Sequence, residues 1–497
     1  MKKLKYIILF AGLFACSNLE EEVFSEIAPS NFYQNADQAN AAVVSIYNTY
    51  SRAVGLFDFG LASMVVMPSP YMQARVPWRR NWGNYTVAAS DPISIPRTWN
   101  SLYQGIFRAN VVIAELETRD FGDELENETR DFLIGEAKFL RAWSYFNLVR
   151  LFGDVPMPLL PATSVDQAIL GRTSSTNIYE QIIIDLQDAE SNLPADKRTG
   201  IDLGRPFSTT ATFLLAKVYL TMAGLPLQDA SKMALAQSKL QEVINLEGSS
   251  QGYSLLDSYE DAIRIENNDE RIFAIQQTQA VEDQGTAFSH VWGGRFRFNG
   301  TGQFHGGYSQ TFYDAFESFD LRRDVTMAYS YPDARNGNML TFGTAPYNAR
   351  FGIAQNKYVD FDQTAVDGDP DMILFRYSDA LLMAAEIEND INGPTPTAYM
   401  YLNRVRARAE ASDAPSGMTQ DEFIDYIYEE RFKELSFEFH EVFDMRRLGK
   451  VEEALARHPE NITYAPTNTA YQSHFELWPI PLAEINANPN LEQTTGW

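Results

Sequence analysis

Among 497 residues there is one cysteine, Cys16. Beyond position 16 no thiol is left for a disulfide, a thiolate nucleophile or a Cys-type zinc site. Whatever this chain folds into is therefore held by packing, hydrogen bonds and ion pairs alone. What precedes the cysteine is a leader. Met1 to Lys5 is basic, and Tyr6 to Phe14 is apolar but shorter than the roughly 20 residues a membrane-spanning helix needs. With small Ala15 ahead of the cut, residues 1–15 read as a secretory signal peptide. No later stretch is long and apolar enough to cross a bilayer as a helix.

Leu13-Phe14-Ala15-Cys16 resembles the lipobox of bacterial lipoproteins. That resemblance implies that Cys16 is acylated, becomes the mature N-terminus, and holds the protein to a membrane surface without spanning it. An ordinary signal peptide with a chance cysteine is the plainer alternative. Residues 16–30 then form a flexible tether. Its start, Ser17-Asn18-Leu19-Glu20-Glu21-Glu22, is similar to the acidic export signals of surface-exposed lipoproteins in some Gram-negative bacteria. The formal net charge is −26. Nucleic acid and anionic lipid need a basic face and are excluded as partners; the acidity itself is what keeps an exposed surface soluble.

Helical periodicity dominates the first half. Ala39, Ala42, Val43, Ile46, Tyr47 and Tyr50 share one helix face. A helix over Asn100 to Glu117 turns Leu102, Ile106, Ala109, Ile113 and Leu116 inward. The longest runs from about Thr129 to Leu151 and stops at Gly153-Asp154-Val155-Pro156, a glycine followed by a proline. Further helices are expected near Ile178 to Leu193, Thr209 to Met222, Ala230 to Asn245, Tyr377 to Ile391, Thr397 to Ala409 and Gln420 to Leu435. Their pairing resembles tetratricopeptide helix-turn-helix repeats, irregularly spaced. The fold class expected is mostly α: one domain over residues 31–497, with a loop-rich, short-strand insertion over about 253–371 marked by Gly293-Gly294, Gly306-Gly307 and Asn336-Gly337.

Several segments, in order, carry a family resemblance. They are Gly135-Glu136-Ala137-Lys138-Phe139-Leu140-Arg141-Ala142 through Phe152-Gly153-Asp154-Val155-Pro156, then Phe375-Arg376-Tyr377-Ser378-Asp379 to Glu386, Leu402-Asn403-Arg404-Val405-Arg406, Glu430-Arg431-Phe432-Lys433-Glu434-Leu435 leading to Phe443-Asp444-Met445-Arg446-Arg447-Leu448-Gly449, and the ending Leu477-Trp478-Pro479-Ile480-Pro481. Together they resemble the SusD/RagB family of nutrient-binding lipoproteins. The resemblance implies an outer-membrane, cell-surface protein on tetratricopeptide-like helices, partnered by a SusC-like TonB-dependent transporter over which it sits as a lid. It implies capture of a glycan, or in some members a peptide, without catalysis and without a cofactor. The motif residues themselves read as architecture. Arg141, Arg376, Arg406 and Arg446, near Glu136, Glu386, Glu430 and Glu434, are expected to knit helices through guanidinium–carboxylate pairs.

A sugar-binding face needs flat rings for the C–H faces and amides, carboxylates or guanidiniums for the hydroxyl rim. Two segments, both expected as loops, have that chemistry. The first, within Met72 to Asp91, holds Trp78, Arg79, Arg80, Asn81, Trp82, Asn84 and Tyr85. The second, Gly285 to Tyr313, holds His290, Trp292, Arg295, Phe296, Arg297, Phe298, His305 and Tyr308. Of these, Trp292, Arg295, Phe298, His305 and Tyr308 are the ligand candidates, with Trp292 beside Gly293-Gly294 the one expected to be exposed. Loop packing or transporter docking is the competing reading of the first segment; in the second, the alternation of Phe296 and Phe298 about Arg297 is equally that of a strand facing a core. Trp99, Trp143 and Trp478 are expected in the core. If Arg79, Arg80 and Arg295 converge, the ligand is acidic; otherwise a neutral glycan is the simpler reading. Asp360, Asp362, Asp367, Asp369 and Asp371 around Gly368 form a weak calcium candidate whose spacing does not fit an EF-hand loop. Two further functions compete. A glycosidase needs two carboxylates across the scissile bond, and none lies among residues 78–85. A helical-repeat scaffold would bind the transporter alone.

Overall fold

A computed structural model describes residues 32–51, 55–281, 284–297, 302–345, 347, 352–361, 363, 366–458 and 471–497. The leader, Cys16, the tether, Phe298 and Asp362 lie outside the described residues. Helices dominate. The first half contains α1 (Ala36–Tyr47), a buried π-helix (Leu56–Val66), α2 (Pro77–Gly83), α3 (Ser94–Thr118), α4 (Asn127–Phe152), α5 (Val165–Ala168), α6 (Ser175–Asn192), α7 (Ser208–Ala223) and α8 (Ser231–Asn245). The ends follow capping chemistry. The Asn35 side chain accepts from Gln38 N–H at 3.0 Å to start α1. Gly153, at φ +73°, closes α4 where the glycine stop predicts. The helices pack in sequence, α3 on α4, α4 on α6, α6 on α7 and α7 on α8, as helical-hairpin repeats do.

The loop-rich stretch contains α9 (Tyr259–Arg264), α10 (Phe288–Trp292), α11 (Gln310–Asp314) and α12 (Arg322–Thr326), with strands of two to five residues. Among the described residues the strands pair only two by two, as β2 (Arg271–Ile275) does with the strand over Met372–Arg376, so there is no central sheet. The pair that matters for the site is β1 (Met72–Ala74), antiparallel to β3 (Gly306–Tyr308), with Met72 opposite Tyr308 and Ala74 opposite Gly306. Gly307 is hemmed in on its other side: a Cβ there would sit 2.1 Å from the Ile353 carbonyl oxygen. The glycine pair thus lets three backbone segments close on one another.

The C-terminal helices are α13 (Tyr377–Asn392), α14 (Pro396–Arg408), α15 (Gln420–Leu435), α16 (Glu441–Arg447) and α17 (Val451–Arg457). Thr419 and Glu422 form a capping box on α15. These helices meet through buried ion pairs. Arg376, with no exposed side-chain surface, reaches Glu438 at 2.8 Å, Glu270 at 2.6 Å and Glu434 at 2.9 Å. Arg408 also reaches Glu270 and Glu434, Arg322 reaches Glu430 at 2.6 Å, and Arg406 shares Glu430. A second node centres on Asp379, held by Lys217 at 2.6 Å and Arg431 at 2.8 Å; Arg431 continues to Asp444, which Arg447 also holds. Knitting of helices by guanidinium–carboxylate pairs is therefore observed, with different partners from those near in sequence. Arg141 pairs with Asp185 at 2.7 Å, while Glu136 takes Arg205 and Glu386 takes Arg447. Arg446 is a correction: it donates to the carbonyls of Arg150 and Phe475 and has no carboxylate within ion-pairing distance among the described residues. Trp99, Trp143 and Trp478 are core residues, as their family-like segments imply.

Candidate functional site: an aromatic and guanidinium face around Trp78

The β1–β3 pair joins the two segments that sequence chemistry singled out. Beyond its last rung, Arg75 and Val76 N–H both donate to the His305 carbonyl, at 2.8 and 3.2 Å. The first segment is not a loop. Pro77 opens the short helix α2, whose first turn tolerates a proline because its N–H would be unpaired anyway. Helical spacing then sorts its side chains: Arg79 and Trp82 face inward, while Trp78 is part-buried and Asn81 exposed on the outer side.

Trp78 lies over a built floor. Its ring stacks on Phe59 of the π-helix, 6.1 Å apart and 8° from parallel. The Arg79 guanidinium is sandwiched beneath, 4.4 Å from the Trp78 ring and 4.1 Å from the Trp292 ring. Three of its N–H groups donate inward: Nε to His305 Nδ1 at 3.1 Å, Nη1 to Ser63 Oγ at 2.6 Å and Nη2 to the Asp58 carbonyl at 3.1 Å. Burial, and then Arg79 and Arg75, push His305 down to about 3, so it stays neutral and its Nδ1 accepts the hydrogen bond from Arg79 Nε. Burial pushes the Asp58 carboxyl up to about 8, despite a hydrogen bond from Thr286 at 3.2 Å.

Several sequence-picked residues are corrected by this packing. Trp82 is fully buried against Trp478, with rings 5.0 Å apart. Tyr85 stacks on the same indole at 5.2 Å, and Asn84 is buried beside it in the chain. Trp292, expected to be exposed, is fully buried, and its indole N–H donates to the Asp58 carbonyl at 3.1 Å. Tyr308 lies between Phe312 and Phe437. Apolar rings this large gain more from burial than a solvent-facing pocket would allow. His305 and Arg79 support the face from below rather than reaching a ligand. The three-arginine convergence fails for the same reason, since Arg79 is inside.

What remains at the surface is Trp78, part-buried Arg80, exposed Asn81 and exposed Arg295. Arg295 stands within electrostatic reach of part-buried Arg75, and its guanidinium lies 4.5 Å from the Phe296 ring. Arg335 covers the same ring at 3.3 Å. Farther along, Phe361 is 69% exposed, with Arg264 and Arg297 at 5.7 and 5.5 Å from its centroid. Phe59, Arg75 and Phe361 were missed from sequence. Phe59 sits in an apolar run, where the one anomaly is the adjacent Asp58. Phe361 sits among the aspartates that drew attention instead.

The aspartate cluster does not assemble. Asp371 pairs with Arg271 at 2.9 Å, Asp369 accepts from Gln279 N–H and its amide, and Asp360 accepts from Asp369 N–H. Each is spent on a protein donor, and among the described residues no three His, Cys, Asp or Glu side chains group to hold a metal ion. The calcium reading is withdrawn for the described members.

The chain is 30% identical to SusD-like protein P25 of Formosa agariphila, over 98% of this chain and 96% of that protein. It belongs to the SusD family. The SusD family model matches residues 255–497, and a model described as "Starch-binding associating with outer membrane" matches residues 61–220. Among solved structures, a laminarin-binding SusD-like protein is 25% identical, covering 94% of this chain and all of that one, with a TM-score of 0.75. Surface glycan-binding protein A of Bacteroides thetaiotaomicron, solved with laminarihexaose, is 21% identical over 92% of this chain and 99% of its own, with a TM-score of 0.74. The latter likeness is one of fold.

Proposed function

We propose that this SusD-family protein is a cell-surface, outer-membrane lipoprotein that captures a glycan at the Trp78 face and passes it to a SusC-like TonB-dependent transporter. Trp78 carries the reading. It offers one indole surface at the protein boundary while Phe59 and Arg79 hold the ring from the other side, so binding costs little side-chain ordering. Asn81, Arg80 and Arg295 supply rim donors for hydroxyls. With Arg79 engaged inside, a neutral glycan is favoured, and the laminarin-binding relative makes a β-glucan the first ligand to test. Anchoring rests on Cys16, and the transporter reading on the family resemblance.

Affinity electrophoresis against laminarin and a panel of other polysaccharides tests the capture step. At least one panel member should retard the protein. Trp78→Ala should weaken that retardation about tenfold, equivalent to about 1.4 kcal/mol. Retardation by no polysaccharide, or equal retardation of Trp78→Ala and wild type, would sink the assignment. New reducing ends after incubation would instead reveal an enzyme. Cys16→Ser should release the protein from cells while leaving glycan retention intact.

A further inference from the structure

The helical side of the molecule holds a second place built for a ligand. It is a cavity of about 280 Å³ whose apolar wall includes Val149, Leu225, Pro226, Leu227, Phe443 and Leu477. Three guanidiniums line it, those of Arg150, Arg446 and Arg447. Arg150 is clamped between the Phe146 and Phe443 rings, 3.6 Å from each centroid, and fixed by the Phe146 carbonyl and Asn147 Oδ1 at 2.9 and 3.0 Å. Arg446, only 6% exposed, lies 4.9 Å from the Trp478 ring and donates to two backbone carbonyls. Its Nε is buried without a hydrogen-bond partner. Neither arginine has a carboxylate within ion-pairing distance among the described residues, whereas the neighbouring Arg447 has two, Glu386 and Asp444.

The charge balance at the cavity is therefore positive. The one carboxylate in the lining, Glu476, lies within electrostatic reach of Arg446 and accepts from the Tyr471 hydroxyl at 2.8 Å, while burial pushes its carboxyl up. Tyr179, also in the lining, stays a neutral phenol at physiological pH because burial pushes it above its ordinary range. Burial lowers Arg150 to about 9 and Arg446 to about 10, so both remain cations at neutral pH. Among the described residues Arg150 and Arg446 have only carboxylates beyond ion-pairing distance to oppose them, Glu476 for Arg446 and Asp444 and Asp379 for Arg150; a buried cation so weakly compensated is costly, and an anion entering the cavity recovers part of that cost.

We propose that this cavity binds a small organic monoanion: a carboxylate carried on a single apolar ring or branched chain. The carboxylate meets Arg150 and Arg446, and the apolar body meets the leucine and proline wall. The walls are too apolar for a free phosphate or a sugar, and the volume suits one ring rather than an oligomer. The site is separate from the Trp78 face, and its existence does not depend on what that face binds.

Calorimetry on the full chain, with 3-phenylpropionate against its neutral counterpart 3-phenylpropan-1-ol, tests the assignment. The acid should bind at least tenfold more tightly than the alcohol. Arg150→Met should remove that preference while leaving the alcohol unchanged, and Arg446→Met should do the same. Leu227→Trp, which fills the cavity and leaves both guanidiniums in place, should abolish binding of the acid with an unchanged circular dichroism spectrum. No binding of either compound, equal binding of both, or full acid binding by Leu227→Trp would each overturn it. Should Arg446→Met fail to fold, Arg150→Met and Leu227→Trp decide.

Discussion

The C-terminal helices and the Trp78 face both bury arginine, but they neutralise it in opposite ways. Around Arg376 each cation has carboxylates at direct contact. Burial alone would raise Glu434, yet Arg408, Arg376 and Arg322 together hold it well below the usual carboxylate range. Around Arg79 the cation is held by rings, a neutral imidazole, a hydroxyl and a carbonyl, and the nearby Asp58 carboxyl is pushed towards protonation. The first arrangement is rigid and costly to disturb, since removing one partner strands a buried charge. The second holds a ring surface at the boundary without spending ionised carboxylates on it. A framework suits the first arrangement and a binding face the second.

The sharpest way to break this comparison is Arg376→Met. Leaving Glu270 and Glu434 to Arg408, and Glu438 to Lys357, with one buried cation fewer among them should cost about 3–5 kcal/mol in urea unfolding. Arg79→Met, which removes hydrogen bonds and ring contacts but strands no ionised carboxylate, should cost less, about 2 kcal/mol. A loss equal to that of Arg376→Met would erase the distinction.

pH separates the regions by sign. Glu434, Asp379 and Asp444 are held below their unfolded values by their cationic partners, against the opposing effect of burial. The stability they contribute is present above about pH 4 and is lost as pH falls through their depressed folded values. Asp58 is raised to about 8, so its contribution is present below about pH 4 and is lost as pH rises towards 8. Asp58→Asn should therefore stabilise the protein markedly more at pH 7.5 than at pH 4, where it should change stability by almost nothing. Thermal unfolding at the two pH values reads this directly, and an equal effect at both would show that Asp58 is not desolvated. The smallest effect belongs to exposed Arg295. Arg295→Ala should change stability by no more than about 0.5 kcal/mol, so any larger loss of glycan retention reports ligand contact alone.

Much of the helical body was legible because periodicity is local. The helix Gln420–Leu435 is found over the residues predicted, and α4 ends at Gly153 as expected. The π-helix was not legible, since Leu56–Val66 is apolar on nearly every face and shows no stripe. Nor was the helix at Pro77–Gly83, whose seven residues are too few to show a period. Composition drew attention to the right eight-residue cluster, but without the helix it could not separate Trp78 and Asn81, which face out, from Arg79 and Trp82, which face in.

The sequence by itself determined the class of this protein: a long α-rich chain with no structural thiols, family-like motifs in order, and arginines and glutamates that must pair once buried. Helix periodicity and capping act over a few residues, so they can be read in one dimension. Only the tertiary structure decided which glutamate each arginine takes and which rings are left at the surface. Glu386 lies 10 residues from Arg376 in sequence yet takes Arg447, and Trp292 reaches Asp58 across 234 residues. Those choices depend on how β1 meets β3 and how the helices cross, and no local rule carries that information.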